Sequence, residues 1–294
     1  MPKMCEAKLI EWPTRLATTA LAIALACVTT AHAGECPRKG VLGTSRVLAV
    51  DAAEYPRVGL KSFPQTLPLR DHEVVLTFDD GPWPPTTPIV LRELAQECVR
   101  ATFFLIGKPA SEHRDLVQRI AAEGHTIGHH TWLHRSLRQI KPSETTDEIE
   151  HGISAVEMAL HGIATKTPST PFFRFPGFES TPATLDFLQS QGIAVFGADL
   201  WASDWIRMTP KQELALLIKR LKVTKRGIIL LHDPRAQTAA MLPAFLRYLH
   251  DNHYHVVHLA PKEPAKEPDE EPDKEPSLTS MPLRDQKHVD KPDD

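Results

Sequence analysis

The sequence predicts an α/β fold: a distorted (β/α) barrel of about seven parallel strands, forming a single domain with a disordered C-terminal tail. Three observations carry this. From residue 73 onward, short apolar runs alternate with amphipathic helical patterns with little interruption, the pattern of a parallel sheet. The run from Gly227 to Asp233 is almost continuously apolar, as expected of a strand buried on both faces. Asp79, Asp80, His130, His134, Arg174, Asp204 and His232 all fall at or just past the C-terminal ends of expected strands, and in a closed barrel those ends converge on one mouth. A doubly wound open sheet is the alternative.

The elements follow in order. Residues 1–33 read as a signal peptide: Lys3, Lys8 and Arg15 precede a run from Leu16 to Ala31 that is apolar apart from its threonines, and Ala31-His32-Ala33 forms an A-x-A cleavage site. A retained membrane anchor would need roughly 20 apolar residues, and a lipoprotein reading through Cys27 meets a poor lipid-attachment box. Residues 34–70 form an N-terminal extension in which Thr44 to Val50 is one further strand, without an assigned place. The main globular domain is expected at 71–260. Glu73 to Phe78 is its first strand. Thr86 or Thr87 then caps a helix with Pro88 in its first turn and Val90, Leu94 and Cys98 on one face. Ala101 to Gly107 is a strand, and Leu116, Val117, Ile120 and Ala121 stripe a helix that Gly124 ends. His125 to Thr131 is the third strand. Thr145-x-x-Glu148 has the form of a capping box before a helix burying Ile149, Ile153, Val156, Leu160 and Ile163. Phe172 to Pro176 is strand-like, Thr181-Pro182 starts a helix, and Ala194 to Leu200 is a strand. Thr209-Pro210-x-Gln212 opens the next helix. Gly227 to Asp233, a helix near 238–250 and a strand from His255 to Ala260 close the domain.

Charge is uneven along the chain. The 294 residues carry a net charge of -3 with 26 prolines. The tail, 261–294, holds six positive and eleven negative residues, and 1–33 holds three and two, which leaves the middle at +1. No basic patch or stripe marks a nucleic-acid footprint. The tail has too few apolar residues to offset its ordering entropy. Of four cysteines, Cys36 and Cys98 remain after cleavage. In an oxidising compartment they could pair, or Cys98 could be a buried thiol. The chain is expected to be exported, periplasmic or secreted, and monomeric, with no stable membrane insertion after cleavage.

Two motifs carry chemistry. Thr77-Phe78-Asp79-Asp80-Gly81-Pro82 puts two adjacent carboxylates at a strand end. Mid-strand they would face opposite ways; a turn can bring both to one side. His125, His129, His130 and His134 put four imidazoles in ten residues. One carboxylate with two imidazoles is a plausible open ligand set for a catalytic divalent metal, and the spare carboxylate can serve as general base. The His-Glu-x-x-His helix is not matched, since Thr131 takes the Glu position. Arg174, in a Phe-Phe-Arg-Phe-Pro run, is costly to bury unless it meets a carboxylate.

With these motifs in this order, the chain resembles the polysaccharide deacetylases of carbohydrate esterase family 4, a nodulation-deacetylase homology domain, from about Glu73 to His258. The resemblance rests on Thr-Phe-Asp79-Asp80-Gly-Pro, His130-Thr-x-x-His134, Arg174-Phe-Pro176-Gly177, Asp204-Trp205 and Leu230-Leu-His232-Asp233. It implies that Asp80, His130 and His134 hold one divalent metal, usually zinc, with Asp79 the catalytic base and His232 the general acid. It further implies that Arg174 orients Asp79 and that an acid supports His232: Asp204, which Trp205 follows, with Asp199 the alternative. Gly177, Trp205 and Leu230 would shape the oxyanion and acetyl pocket. The chain departs from the family in three places: Gly177 precedes Phe178, Asp199 and Asp204 are widely spaced, and His129 stands where Asn is common. The implied activity is hydrolysis of N-acetyl groups on an aminosugar polymer: peptidoglycan, a chitin-like chain or an exopolysaccharide. A small-molecule amide or cyclic-imide hydrolase and a silent wall-binding domain are the competing readings. The intact acid, base and ligand set argues against the second of these, and the signal segment against the first.

Overall fold

A computed structural model describes residues 38–262. The expectations for 1–33, for Cys36 and for nearly all of the tail lie outside these residues. In chain order the strands are β1 (Thr44–Val50), β2 (Arg57–Val58), β3 (Glu73–Asp79), β4 (Thr102–Leu105), β5 (Thr126–His129), β6 (Phe172–Phe173), β7 (Ala194–Phe196), β8 (Leu200–Trp201), β9 (Gly227–His232) and β10 (His255–Pro261). The helices are α1 (Thr87–Gln96), α2 (Gly107–Glu112), α3 (Arg114–Ala122), α4 (Pro142–His161), α5 (Pro182–Ser190), α6 (Pro210–Thr224) and α7 (Ala236–Asp251), with a single 3₁₀ turn at Pro176–Phe178.

β3, β4, β5, β6 and β7 pair in that order, all parallel. On its other side β3 pairs with β9, and β9 with β8, also parallel. These seven strands curl into the expected barrel. Its seam lies between β7 and β8, where no ladder joins the two among the described residues and β2 pairs with β7 instead. The segment after β2 spans the approach to β8, with Lys61 N–H donating to Ala198 O and Leu60 N–H to Asp199 Oδ1, while Arg174 donates to the carbonyls of Phe196 and Gly197 where β7 ends. β10 pairs with the first residues of β3, and β1 runs parallel to β10. The extra strand expected at Thr44–Val50 therefore belongs to the same sheet as the barrel.

Strand alternation decides what faces inward. Val75 of β3 packs with Phe104, Phe172, Phe196 and Ile228 in one cluster, which Val50, Val257 and Leu259 from β1 and β10 join. The intervening residues Leu76, Phe78, Phe103, Ile229 and Leu231 pack with α1, α3, α6 and α7 in the larger outer cluster. Each such fully buried side chain contributes about 1.5–3 kcal/mol. Thr77 and Asp79 follow Val75 on the inner register, so a carboxylate is carried to the barrel mouth by the alternation that builds the core.

Some local expectations differ from what is observed. The run 194–200 is two strands, because Gly197–Asp199 turn at the seam. Ala101–Gly107 stops at Leu105, and Gly107 starts α2. The Thr145/Glu148 box is not a cap: α4 begins at Pro142 with Lys141 as N-cap, and Thr145 Oγ1 donates to Lys141 O from inside the helix. The boxes at Thr181 and Thr209 do cap α5 and α6. Cys98 lies past the end of α1 and is disulfide-bonded; it is the one cysteine among the described residues. No helix among them is long and apolar enough to cross a membrane.

Candidate active site

Asp79 ends β3 and keeps the strand's inward direction. Asp80 follows with φ of +75°, a left-handed turn that Asp tolerates better than most residues. This turn swings its carboxylate to the same side. Gly81 comes next, and a Cβ there would collide with the Asp233 carboxylate, so the turn needs glycine.

Arg174 lies one residue past β6 and is fully buried. Its Nη1 donates to Asp79 Oδ1 at 2.7 Å and to Thr77 Oγ1 at 2.8 Å, while the guanidinium sits 4.2 Å from the Phe104 ring centroid. Burial pulls the Arg174 pKa down, and Asp79 opposes it. The buried cation is thus matched by a buried anion and two backbone carbonyls, as such a charge requires.

His130 and His134 lie on the loop after β5, not on a helix. The loop is held by hydrogen bonds to β4, α2 and α4. His130 N–H donates to Leu105 O; Gly107 and Lys108, the first residues of α2, donate to Thr131 O and Trp132 O. Leu133 N–H donates to Glu148 Oε2 at 2.9 Å, and His134 N–H to Thr131 Oγ1 at 3.1 Å. Glu148, expected as half of a capping box, instead anchors this loop. Left-handed φ at Thr131 (+63°) and His134 (+56°) reverses the chain so that both imidazoles face Asp80.

Asp80 Oδ1 lies 3.4 Å from His130 Nε2 and 3.2 Å from His134 Nε2, and the three ligand atoms fall within 4.8 Å of one another. The donor set fits a divalent cation on three counts. His130 Nδ1 donates to Arg174 O at 2.7 Å, which fixes the tautomer and leaves the Nε2 lone pair facing the carboxylate. Asp80 Oδ1 is buried with no hydrogen-bond partner of good geometry. Burial works to raise the Asp80 carboxyl, yet His130 and His134 outweigh it and hold it far below the usual carboxylate range. His134 is displaced upward: burial opposes protonation, and Asp80 overcomes it.

His232 ends β9 on the inner register. Its Nδ1 meets Asp204 Oδ1 at 2.8 Å and its backbone N–H donates to Asp204 Oδ2 at 2.7 Å. Burial favours the neutral ring, but Asp204 prevails and raises the pKa to about 9. Thr238 Oγ1 lies within hydrogen-bond range of both Asp204 Oδ2 (2.8 Å) and Glu213 Oε1 (3.0 Å). One hydroxyl has one proton to give. Burial and the Asp204 charge push Glu213 up to about 7, so a protonated Glu213 can donate to Thr238, which donates to Asp204.

A cavity of about 390 Å³ opens over these groups. Asp79, Asp80, His130, His134 and His232 line its floor, and Gly177, Trp205 and Leu230 its wall. Every site residue expected from sequence is therefore at this cavity, except Arg174 beneath Asp79 and Asp204 behind His232. Asp199 lies elsewhere. Its oxygens accept from Leu60 N–H, Thr66 Oγ1 and Ile228 N–H, which ties the residues after β2 to β9. His129 points away from the cavity; it is fully buried with Nε2 3.7 Å from Glu157, and burial lowers it to about 4. Phe175, Phe178, Trp201 and Arg235 also line the cavity, and the sequence motifs assign none of them a role there. For the aromatics the available signal was position: Phe175 and Phe178 flank the Pro176-Gly177 turn, and Trp201 precedes Asp204 by three residues.

The family profile described as polysaccharide deacetylase matches residues 67–196. Two peptidoglycan-N-acetylglucosamine deacetylases of Bacillus cereus are similar to this chain. One is 30% identical over 225 residues, 74% of this chain and 81% of the relative. The other is 37% identical over 138 residues, 47% of this chain, and the chain spans only 48% of its length. Among solved structures, a Bdellovibrio bacteriovorus peptidoglycan deacetylase superposes with a TM-score of 0.67 at 29% identity, covering 77% of this chain and 62% of that one.

Proposed function

The chain belongs to the polysaccharide deacetylase family, and from that premise we propose that it is an exported, metal-dependent hydrolase removing N-acetyl groups from an aminosugar polymer. One observation carries the reading: Asp79 and His232 share a cavity with the Asp80–His130–His134 cluster, each held by its own buried partner, Arg174 and Asp204. Export rests on the signal-like residues 1–33. The polymer class rests on what the relatives are named for and on the openness of the site, where Trp205 is 46% exposed.

Asp80, His130 and His134 would hold one divalent cation, zinc by preference. When bound, such a cation supplies Lewis acidity toward water and the acyl oxygen. Arg174 occupies Asp79 Oδ1, leaving Oδ2 on the side of His130 Nε2, at 3.9 Å. From there the Asp79 carboxylate takes a proton from water as the water oxygen bonds to the acetyl carbon. His232 holds its Nδ1 proton against Asp204 and carries the second proton at Nε2. With a pKa of about 9 it is protonated at neutrality, and it transfers the Nε2 proton to the nitrogen as the C–N bond breaks, releasing amine and acetate. Leu230 and Trp205 provide an apolar wall for the acetyl methyl, and the backbone at Gly177 borders the acyl oxygen.

The test is metal content and acetate release in purified protein. Asp80→Ala, His130→Ala and His134→Ala should each lower bound zinc together with activity. Near-full zinc occupancy in His134→Ala removes that residue from the ligand set. Acetate released from polymer but not from small amides supports the polymer assignment.

A further inference from the structure

A second cavity, of about 450 Å³, adjoins the catalytic one through a shared residue, Trp201, at the end of β8. Toward the catalytic side, Trp201 lies 6.0 Å from Trp205, which lies 6.0 Å from His232, centroid to centroid. On the far side the cavity is lined by Lys61, Lys219 and Arg220, with Leu200, Leu216 and Val223 as apolar wall. The Lys61 ammonium stands 5.4 Å from the Trp201 centroid and the Arg220 guanidinium 5.8 Å.

The charge balance of this cavity points to a ligand. Its one acid is Asp199, and both Asp199 oxygens are already engaged by Leu60, Thr66 and Ile228. Arg220 Nη1 donates to the backbone Trp201 O and to Ser203 Oγ, which holds the main chain after β8 in place. Lys61 and Lys219 have no ion-pair partner among the described residues. Two exposed lysines without an ion-pair partner, one of them over the indole, therefore line a pocket with an aliphatic wall. That combination suits a ring with one apolar face and a carboxylate, since a charged hydrogen bond to carboxylate is stronger than one to a hydroxyl.

We propose that this cavity is a subsite for a carboxylate-bearing sugar of the same polymer, with Lys61 and Lys219 binding the carboxylate and Trp201, Leu200 and Leu216 receiving the ring. The inference rests on the deacetylase reading and narrows its substrate class: the chain acts on aminosugar polymers that carry acidic sugars near the acetamido group removed. Neutral chitin-like chains leave the two lysines without a partner.

The zinc-loaded full chain is assayed on an N-acetylglucosamine hexamer and on the same hexamer carboxymethylated at its hydroxyls, which carries sugar-borne carboxylates and no peptide. The carboxymethylated oligomer should show a KM about tenfold lower, an advantage that shrinks as salt is raised. Lys61→Ala/Lys219→Ala should abolish that advantage while leaving kcat and the KM for the uncharged hexamer unchanged; Lys61→Arg/Lys219→Arg should keep it. Equal KM values for the two oligomers in the unaltered chain, or equal effects of the Ala pair on both, overturn the subsite. Should neither oligomer release acetate, the deacetylase reading fails, and calorimetric binding of the carboxymethylated hexamer judges the subsite separately. Loss of that binding in the Ala pair supports it, and unchanged binding overturns it. Displacement of the hexamer by a pentaglutamate peptide assigns the cavity to peptide carboxylates and overturns the sugar assignment.

Discussion

Asp79 and Asp80 are neighbours in sequence with unlike surroundings. Asp79 is clamped by Arg174 beneath the cavity; Asp80 is shared between two imidazoles. Asp79→Asn keeps the shape and loses the proton acceptor, so zinc should be retained while turnover falls by roughly 10²-fold or more. Loss of zinc together with activity would mean the two roles are reversed. Asp204 and Asp199 separate just as sharply. The pH–rate profile should be bell-shaped, with an alkaline limb near the His232 pKa of about 9. Asp204 is what raises that pKa against burial, so Asp204→Asn should move the limb to lower pH and reduce activity at neutrality. Asp199→Asn should leave the limb in place. It should instead lower stability by about 1–3 kcal/mol in a urea titration, because an amide cannot accept from every donor now bound to the carboxylate.

At the scale of elements, the metal-ligand loop depends on α4 as much as on β5. Gly152 faces the loop, and a Cβ there would collide with the Thr131 carbonyl. Gly107 meets Gly152 in the same contact, which lets α2 present its first N–H groups to Thr131 and Trp132. Gly152→Ala should cost about 1–3 kcal/mol through overpacking and weaken zinc affinity in a chelator competition, although the residue is no ligand. Unchanged affinity with lowered stability would show that the loop holds its shape without α4. The apolar stripe marks α4 and its buried face at Ile149, Ile153 and Val156, since periodicity reports which face is buried; Ile163, expected on the same stripe, falls past the Gly162 C-cap and is exposed. Why residue 152 is glycine was not legible, because the reason is a backbone some twenty residues away.

For the whole molecule, pH acts through histidines remote from the cavity. His125 and His258 are buried near Arg100. Burial lowers them to about 3 and about 4, with the Arg100 charge adding to both, and His129 falls to about 4 by burial. Each stays neutral in the folded chain at a pH where the unfolded chain, at about 6.5, has bound a proton. Their contribution is therefore intact above pH ~6.5 and is lost as pH falls toward 4, with a slope of about 1.4 kcal/mol per pH unit per histidine. Urea midpoints measured from pH 7 to pH 4 should fall accordingly, and a flat series would contradict the burial of these rings. The sheet also sets where the chain can be cut. β10 runs through Pro261, and Lys262 N–H donates to Val50 O. Removing 263–294, rich in charge and proline, should leave the melting temperature within a degree or two, whereas removing 255–294 takes away a central partner of β1 and β3 and should abolish folding.

Local rules in the chain set the strand register and supply the chemistry available to it. Strand alternation carried Asp79, Arg174 and His232 inward, strand ends placed the motifs at one mouth, and an Arg in an apolar run required a carboxylate. These are local rules, fixed by periodicity and by the cost of burying charge. Folding of the whole chain selects Asp204 over Asp199 as neighbour of His232, since both are acids near one strand end and the difference is which way a seam turns. It alone joined Trp201 to Lys61 and Lys219, drew Glu148 from a supposed cap to the metal loop, and turned His129 away from the site. Each of these depends on contacts between segments far apart in the chain, and no window of sequence contains both partners.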